Sequence, residues 1–133
     1  MSYKEKLKNI KAFVFDVDGV FTDGSVYLMP GGNMCRVMNV LDGYAVVKAL
    51  KNNYLIGVIT GGNDEMVKHR INYLGIQDYY PKSHDKMADF EDFKNVLIGH
   101  LYIFFGEMSV HILHPLFDGV VCFFLVNLFE FIV

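Results

Sequence analysis

Cysteine is scarce in this 133-residue chain: Cys35 and Cys122 stand far apart and form no Cys-x-x-Cys pair. That spacing argues against a disulfide framework and a cysteine zinc site, and it fits a reducing, cytoplasmic setting. Excess positive charge is missing too. Twelve Lys+Arg against fifteen Asp+Glu leave a net charge of −3, which argues against a nucleic-acid partner held by a basic face. A membrane-length apolar run is also absent. The longest candidate, residues 120–133, is interrupted by Asn127 and Glu130, whereas a span takes about 20 residues. The opening residues are charged and lack the apolar stretch of a leader, so neither a signal peptide nor a membrane partner is expected. The length suits one domain over residues 1–133, burying roughly two thirds of its unfolded surface without staples.

One absence is local. All twelve Lys+Arg precede residue 95, while 26 of the 38 residues in 96–133 are apolar and only Glu107, Asp118 and Glu130 are charged. The atypical tail reads as buried core strands.

Before that break, strand and helix signals alternate. Lys11-Ala-Phe-Val-Phe-Asp-Val-Asp18 is an apolar run ending in acids and Gly19, the pattern of a buried parallel strand feeding a loop. Residues 25–38 form two extended runs around Pro30-Gly-Gly-Asn33, which predicts a β-hairpin flap. Apolar spacing predicts helices over Asp42–Asn53, with Asp42 as N-cap, over Asp64–Leu74, closed by Gly75, and over Asp85–Val96. Tyr54–Thr60, the stub Tyr79-Tyr80 and Leu101–Gly106 predict further strands. The alternation implies an α/β fold, three-layered and Rossmann-like, with a mainly parallel sheet.

In such sheets, sites form at the carboxyl ends of strands. Asp16 and Asp18 are two apart on a strand end, so their side chains start on the same side. Two carboxylates that close need a cation or proton between them, and a hard divalent ion, most simply Mg²⁺, meets that need. The bland alternative, an acidic turn, is disfavoured because the acids are embedded in an apolar run. Taken alone, Thr60 is as easily an ordinary strand residue, and Lys86 a solvated one in a helix's first turn. Cys35, His69 and the methionines read as packing or surface rather than ligands.

Asp16-Val-Asp-Gly-Val20 followed by Phe21-Thr-Asp-Gly24 resembles the first motif of the haloacid dehalogenase superfamily of phosphotransferases. With Asp23-Gly-Ser-Val-Tyr27, Val40-Leu-Asp-Gly-Tyr44, Ile59-Thr-Gly-Gly-Asn63 and His84-Asp-Lys86, residues 9–95 resemble its capless branch of octulosonate and acylneuraminate phosphate phosphatases. The resemblance implies a fold with no cap domain and an Mg²⁺-dependent phosphatase of a sugar-acid phosphate monoester, a small-molecule substrate. Asp16 would be the nucleophile and a metal ligand, and Asp18 the general acid and base as well as a metal ligand. Thr60 and the Gly61 N–H would hold phosphoryl oxygens, and Lys86 would neutralise the transferring group. Asp42, Gly61, Gly62 and Asn63 would contact substrate. The apolar hairpin is too greasy to stand alone in water, and the resemblance implies that it builds a homo-oligomer, a tetramer.

The family's fourth motif, Gly-Asp-Asp with a later Asp, is altered here to Gly106-Glu-Met-Ser-Val-His111. Glu107 is the candidate replacement for the metal-binding acid; Met108 stands in for the second acid and His111 for the later one. The simultaneous loss of basic residues, of this motif and of the usual Arg/Gly-rich tail points to a frame change near the 3′ end. Two alternatives to the phosphatase stay open: a degenerate relative with little activity, and a receiver-like phospho-acceptor module.

Overall fold

The computed structural model describes residues 10–105 and 120–123. Strand β1 is Ala12–Phe15, and the hairpin is β2, Tyr27–Leu28, joined to β3, Met34–Cys35, by a single 3₁₀ turn at Pro30–Gly32. Then follow helix α1, Val40–Lys51, strand β4, Leu55–Ile59, helix α2, Glu65–Tyr73, and strand β5, Asp78–Tyr80. Helix α3, Lys86–Phe105, and strand β6, Val120–Phe123, complete the described elements. The main sheet has the order β5-β4-β1-β6, and each of its neighbouring pairs is parallel.

Alternation along the strands divides the core in two. Ile56 and Val58 of β4 meet Val46 of α1 and Val67 and Ile71 of α2 on one face. Ala12 and Val14 of β1 with Ile59 of β4 meet Phe93 of α3 on the other. Helices therefore cover both faces of a parallel sheet, the three-layer arrangement expected from the alternation of elements. Gly57 in central β4 is explained by the same packing. A Cβ there would lie 2.9 Å from the Phe93 ring, so the missing side chain lets the helix seat its aromatic against the strand.

Two sequence expectations are corrected. Helix α1 starts earlier than expected: Asn39 is its N-cap, accepting the Leu41 N–H at 2.8 Å, and Asp42 lies inside the first turn. Asn is as good a cap as Asp, and an acid three residues further on complements the helix dipole. Asp64 is the N-cap of α2, taking the Met66 and Val67 N–H groups, and Gly75 follows that helix at φ +86°. The second correction is larger. Leu101–Phe105, expected as a strand, continues α3 from the Asp85 cap across the compositional break. A short apolar run carries no period that separates strand from buried helix, and no proline interrupts this one, so the helix propagates. The place beside β1 is taken instead by Val120–Phe123, within the tail read as strands. Among the described residues no helix is long and apolar enough to cross a membrane.

Candidate active site

The carboxyl ends of β1 and β4 lie side by side because the two strands pair in register, Phe15 opposite Val58. Asp16 follows β1 directly and is only 7% exposed. Its Oδ1 accepts the Val17 N–H at 2.7 Å. The chain then turns tightly: the N–H groups of Val20, Phe21 and Thr22 all point to the Val17 carbonyl. Thr22 Oγ1 accepts from Gly19 and Gly24 at 3.2 and 3.1 Å. Gly19 sits at φ +80°, a conformation open to glycine without strain. The Asp-x-Asp-Gly pattern is thus a strand end and the turn that fixes it.

Thr60, 3% exposed, follows β4 directly and opens the next loop. Its N–H donates to the Tyr80 carbonyl, and its own carbonyl accepts from Ser83, both at 3.0 Å. Gly62 adds a bond from the Lys82 N–H, and Thr60 Oγ1 accepts the Gly62 N–H at 3.3 Å. This stitching sets where α3 begins, and Lys86, its first residue, reaches back to form an ion pair with Asp16 Oδ2. A buried carboxylate and an ammonium 70 residues away in sequence are thereby joined. Ser83, whose N–H bonds the Thr60 carbonyl, has a buried Oγ without a hydrogen-bond partner among the described residues.

Asp18 departs from expectation. Strand β1 ends at Phe15, so strict alternation does not carry through to Asp18, and the two carboxylates take different cations. Asp18 is held by Arg36 of the hairpin, Nε to Oδ1 at 2.6 Å and Nη2 to Oδ2 at 3.2 Å. Arg36 also donates from Nη1 to Asp64 Oδ2 at 3.0 Å. The Asp18 hydrogen bond, helped by the charges of Asp18 and Asp64 and opposed by burial, raises the already high Arg36 pKa, so the guanidinium is permanently charged. Arg36 and Asp64 were not singled out from the sequence as site residues. The available signal was that Arg36 is the only basic residue between Lys11 and Lys48, in a stretch that also holds Asp16, Asp18, Asp23 and Asp42.

Of the expected substrate contacts, Gly62 and Asn63 line a cavity of about 910 Å³ between the hairpin and α2. Gly61 lies between Thr60 and Gly62, and a Cβ there would come 3.7 Å from the Ser83 carbonyl oxygen. Asp42 stands elsewhere, exposed on α1 and lining a smaller hollow of about 340 Å³ with Phe13, Val20 and Phe21. Glu107 lies outside the described residues. Among the described residues no cluster of three His, Cys, Asp or Glu side chains could hold a metal ion.

No family model matches the chain. The 3-deoxy-D-manno-octulosonate 8-phosphate phosphatase KdsC of Salmonella typhi is 37% identical over 87 residues, 65% of this chain and 46% of that protein. The chain thus spans about half the length of the curated relatives it matches. The crystal structure of the same phosphatase from Yersinia pestis superposes with a TM-score of 0.67 at 30% identity, covering 70% of this chain and 50% of that one. The Moraxella catarrhalis phosphatase, in complex with magnesium ion, phosphate ion and KDO, gives 0.63 at 25% identity over 89% and 59%. A HAD-superfamily hydrolase from Legionella pneumophila gives 0.66. The likeness carried by the motifs therefore holds in three dimensions as well: over its matched part, this chain is similar in sequence and fold to the haloacid dehalogenase-like phosphatases of the KdsC type.

Proposed function

We propose that the chain is an Mg²⁺-dependent phosphatase of a sugar-acid phosphate monoester, of the 3-deoxy-D-manno-octulosonate 8-phosphate kind, acting in the cytoplasm through an aspartyl-phosphate on Asp16. The observation that carries the proposal is the ion pair of buried Asp16 with half-buried Lys86 at the strand ends, beside buried Thr60. A phosphoryl group entering there meets a carboxylate nucleophile, an ammonium and the donors of the Thr60–Gly62 loop, which is the charge compensation that phosphoryl transfer needs.

The donor chemistry fits a magnesium ion. The Asp16 carboxylate and the Asp18 backbone carbonyl are hard oxygens, and Mg²⁺ usually takes only one or two carboxylates and keeps several waters. When bound, the ion would draw negative charge from the phosphoryl oxygens. The third acid, Glu107 in this reading, lies outside the described residues. The chain's own residues do the rest. An Asp16 oxygen attacks phosphorus as the ester P–O bond breaks, and protonated Asp18 gives its proton to the leaving alkoxide. Water then attacks phosphorus and gives a proton to Asp18, and the acyl-phosphate P–O bond breaks to restore Asp16. Lys86 holds its charge beside the transferring group throughout. Thr60, fixed at both backbone atoms, orients phosphoryl oxygens.

The direct test is phosphate release in Mg²⁺ from octulosonate, nonulosonate and hexose phosphates. Release from a sugar-acid phosphate, abolished by EDTA, is the expected result. Absence of release from every substrate would sink the proposal and leave the degenerate relative, which the altered Glu107-Met108 pair favours.

The hairpin supports a homo-oligomer, a tetramer in this reading. Leu28 is 81% exposed and Val37 63%, and Val40 and Leu41 at the start of α1 are exposed as well. Large apolar side chains left in water in this number favour a contact between chains. Sedimentation should give a mass about four times that of one chain, and Leu28→Glu should lower it; a soluble wild-type monomer on dilution would contradict the assembly.

A further inference from the structure

The hairpin is a ribbon of two residue pairs, Tyr27 with Cys35 and Leu28 with Met34, and a ribbon that short does not hold its own posture in water. Among the described residues, Arg36 makes the only hydrogen bonds from residues 27–36 to the rest of the chain. Its side chain is 10% exposed and serves two partners. Nε and Nη2 hold Asp18 in the turn after β1, and Nη1 donates to Asp64 Oδ2 at 3.0 Å. Asp64 is fixed on its other side, where Oδ1 caps α2 through the Met66 and Val67 N–H groups. It also follows directly on residues 60–63, so one ion pair joins the hairpin to the loop proposed to hold phosphoryl oxygens. We infer that the Arg36–Asp64 bridge couples assembly to phosphate binding: contact between copies through the hairpin steadies the loop, and phosphate on the loop favours assembly.

The inference rests on the phosphatase and oligomer readings and adds a link between them. The loop is tied at its start, where the Thr60 carbonyl accepts from Ser83 and the Gly62 carbonyl from Lys82, both at 3.0 Å. Its far end depends on Asp64. With glycine at 61 and 62, ordering this backbone is entropically costly. A ligand meets that cost alone while the hairpin is loose, and shares it when neighbouring copies hold the hairpin. Leu28 is the exposed apolar contact and Arg36 the nearly buried tether of the same ribbon, so holding one restrains the other. Because the link is a binding free energy, it acts equally in both directions.

The test is calorimetric titration of the full chain, in Mg²⁺, with orthophosphate as the probe, beside sedimentation of the same proteins. Leu28→Glu lies outside the phosphate site, yet it should lower the mass and weaken phosphate binding about fivefold or more. Asp64→Asn keeps the helix cap, because Asn caps as well as Asp, but it turns an amide donor toward the guanidinium. It should bind phosphate as weakly as Leu28→Glu, and adding Leu28→Glu to it should cost nothing more. A merely structural Asp64 would leave the effect of Leu28→Glu in place. Dissociation in Leu28→Glu with unchanged phosphate affinity, or an equal loss in both backgrounds, would overturn the coupling and keep both readings. No wild-type binding up to about 10 mM sinks the phosphatase reading and the coupling with it. A wild-type monomer, or a Leu28→Glu chain of undiminished mass, sinks the hairpin assembly and the coupling together. If circular dichroism finds Asp64→Asn unfolded, Arg36→Lys takes its place as the background, since one ammonium cannot fork to two carboxylates as a guanidinium does.

Discussion

Replacing Asp16 by Asn should reduce phosphate release by at least about 10³-fold, roughly 4 kcal/mol of barrier, while the chain stays folded. The amide has the shape of the carboxylate, and its oxygen can still accept from the Val17 N–H that now bonds Asp16 Oδ1. What it lacks is a charged oxygen able to form an acyl-phosphate. Lys86 loses its charged partner, but it is 27% exposed and can turn to water, so the loss of stability should be modest. Steady-state release together with a melting curve separates the two roles. If Asp16 merely anchored Lys86, activity and melting temperature would fall together, and Lys86→Met would match Asp16→Asn in both. A fully active Asp16→Asn would end the covalent mechanism.

The second large effect is on stability. Phe93→Ala should cost about 3–5 kcal/mol, against a total of roughly 5–15 kcal/mol for a domain. Phe93 is fully buried, at 0% exposure, and fills the space over Gly57 that a strand side chain would otherwise occupy. Gly57→Ala alone should also destabilise, because its Cβ would stand 2.9 Å from the ring. In Phe93→Ala, however, the same methyl group enters the cavity and the penalty should shrink or reverse. Urea unfolding of the four proteins of this cycle measures the coupling; strict additivity would show that strand and ring do not share the contact. Lys86 precedes Phe93 by seven residues, about two helical turns on the same face of α3. Loosening the ring should therefore also disturb the Lys86–Asp16 pair, with phosphate release falling beyond what the unfolded fraction explains.

Both predictions draw on residues of different legibility. Asp16 was readable because a carboxylate at the end of a buried apolar run is costly unless something compensates it. Thr60 and Lys86 were weak signals alone, and only the resemblance of ordered motifs gave them roles. Gly57 and Phe93 lie within the strand and the helix that the sequence predicts, and nothing local marks either one; their contact is a property of the pair. Asp42 was misplaced as a cap because Asn39 has equal capping chemistry and lies where the backbone is still extended, φ −78° and ψ 134°. Leu101–Phe105 was misread because a run of five apolar residues has no period of its own, and the helix behind it supplied the conformation.

The sequence by itself determined the local conformations: the strand–acid–glycine turn at Asp16–Gly19, the hairpin about Pro30–Gly32, and helices capped at Asp64 and Asp85. Periodicity, capping and positive-φ glycines act over a few residues, so they can be read in order along the chain. Which charges meet was decided only when β5-β4-β1-β6 assembled and set the loops at their carboxyl ends together. Lys86 reached Asp16, and Arg36 bridged Asp18 to Asp64, across separations of 70, 18 and 28 residues. An ion pair depends on distance in space, and no local pattern in a chain records which distant residue the sheet will bring alongside.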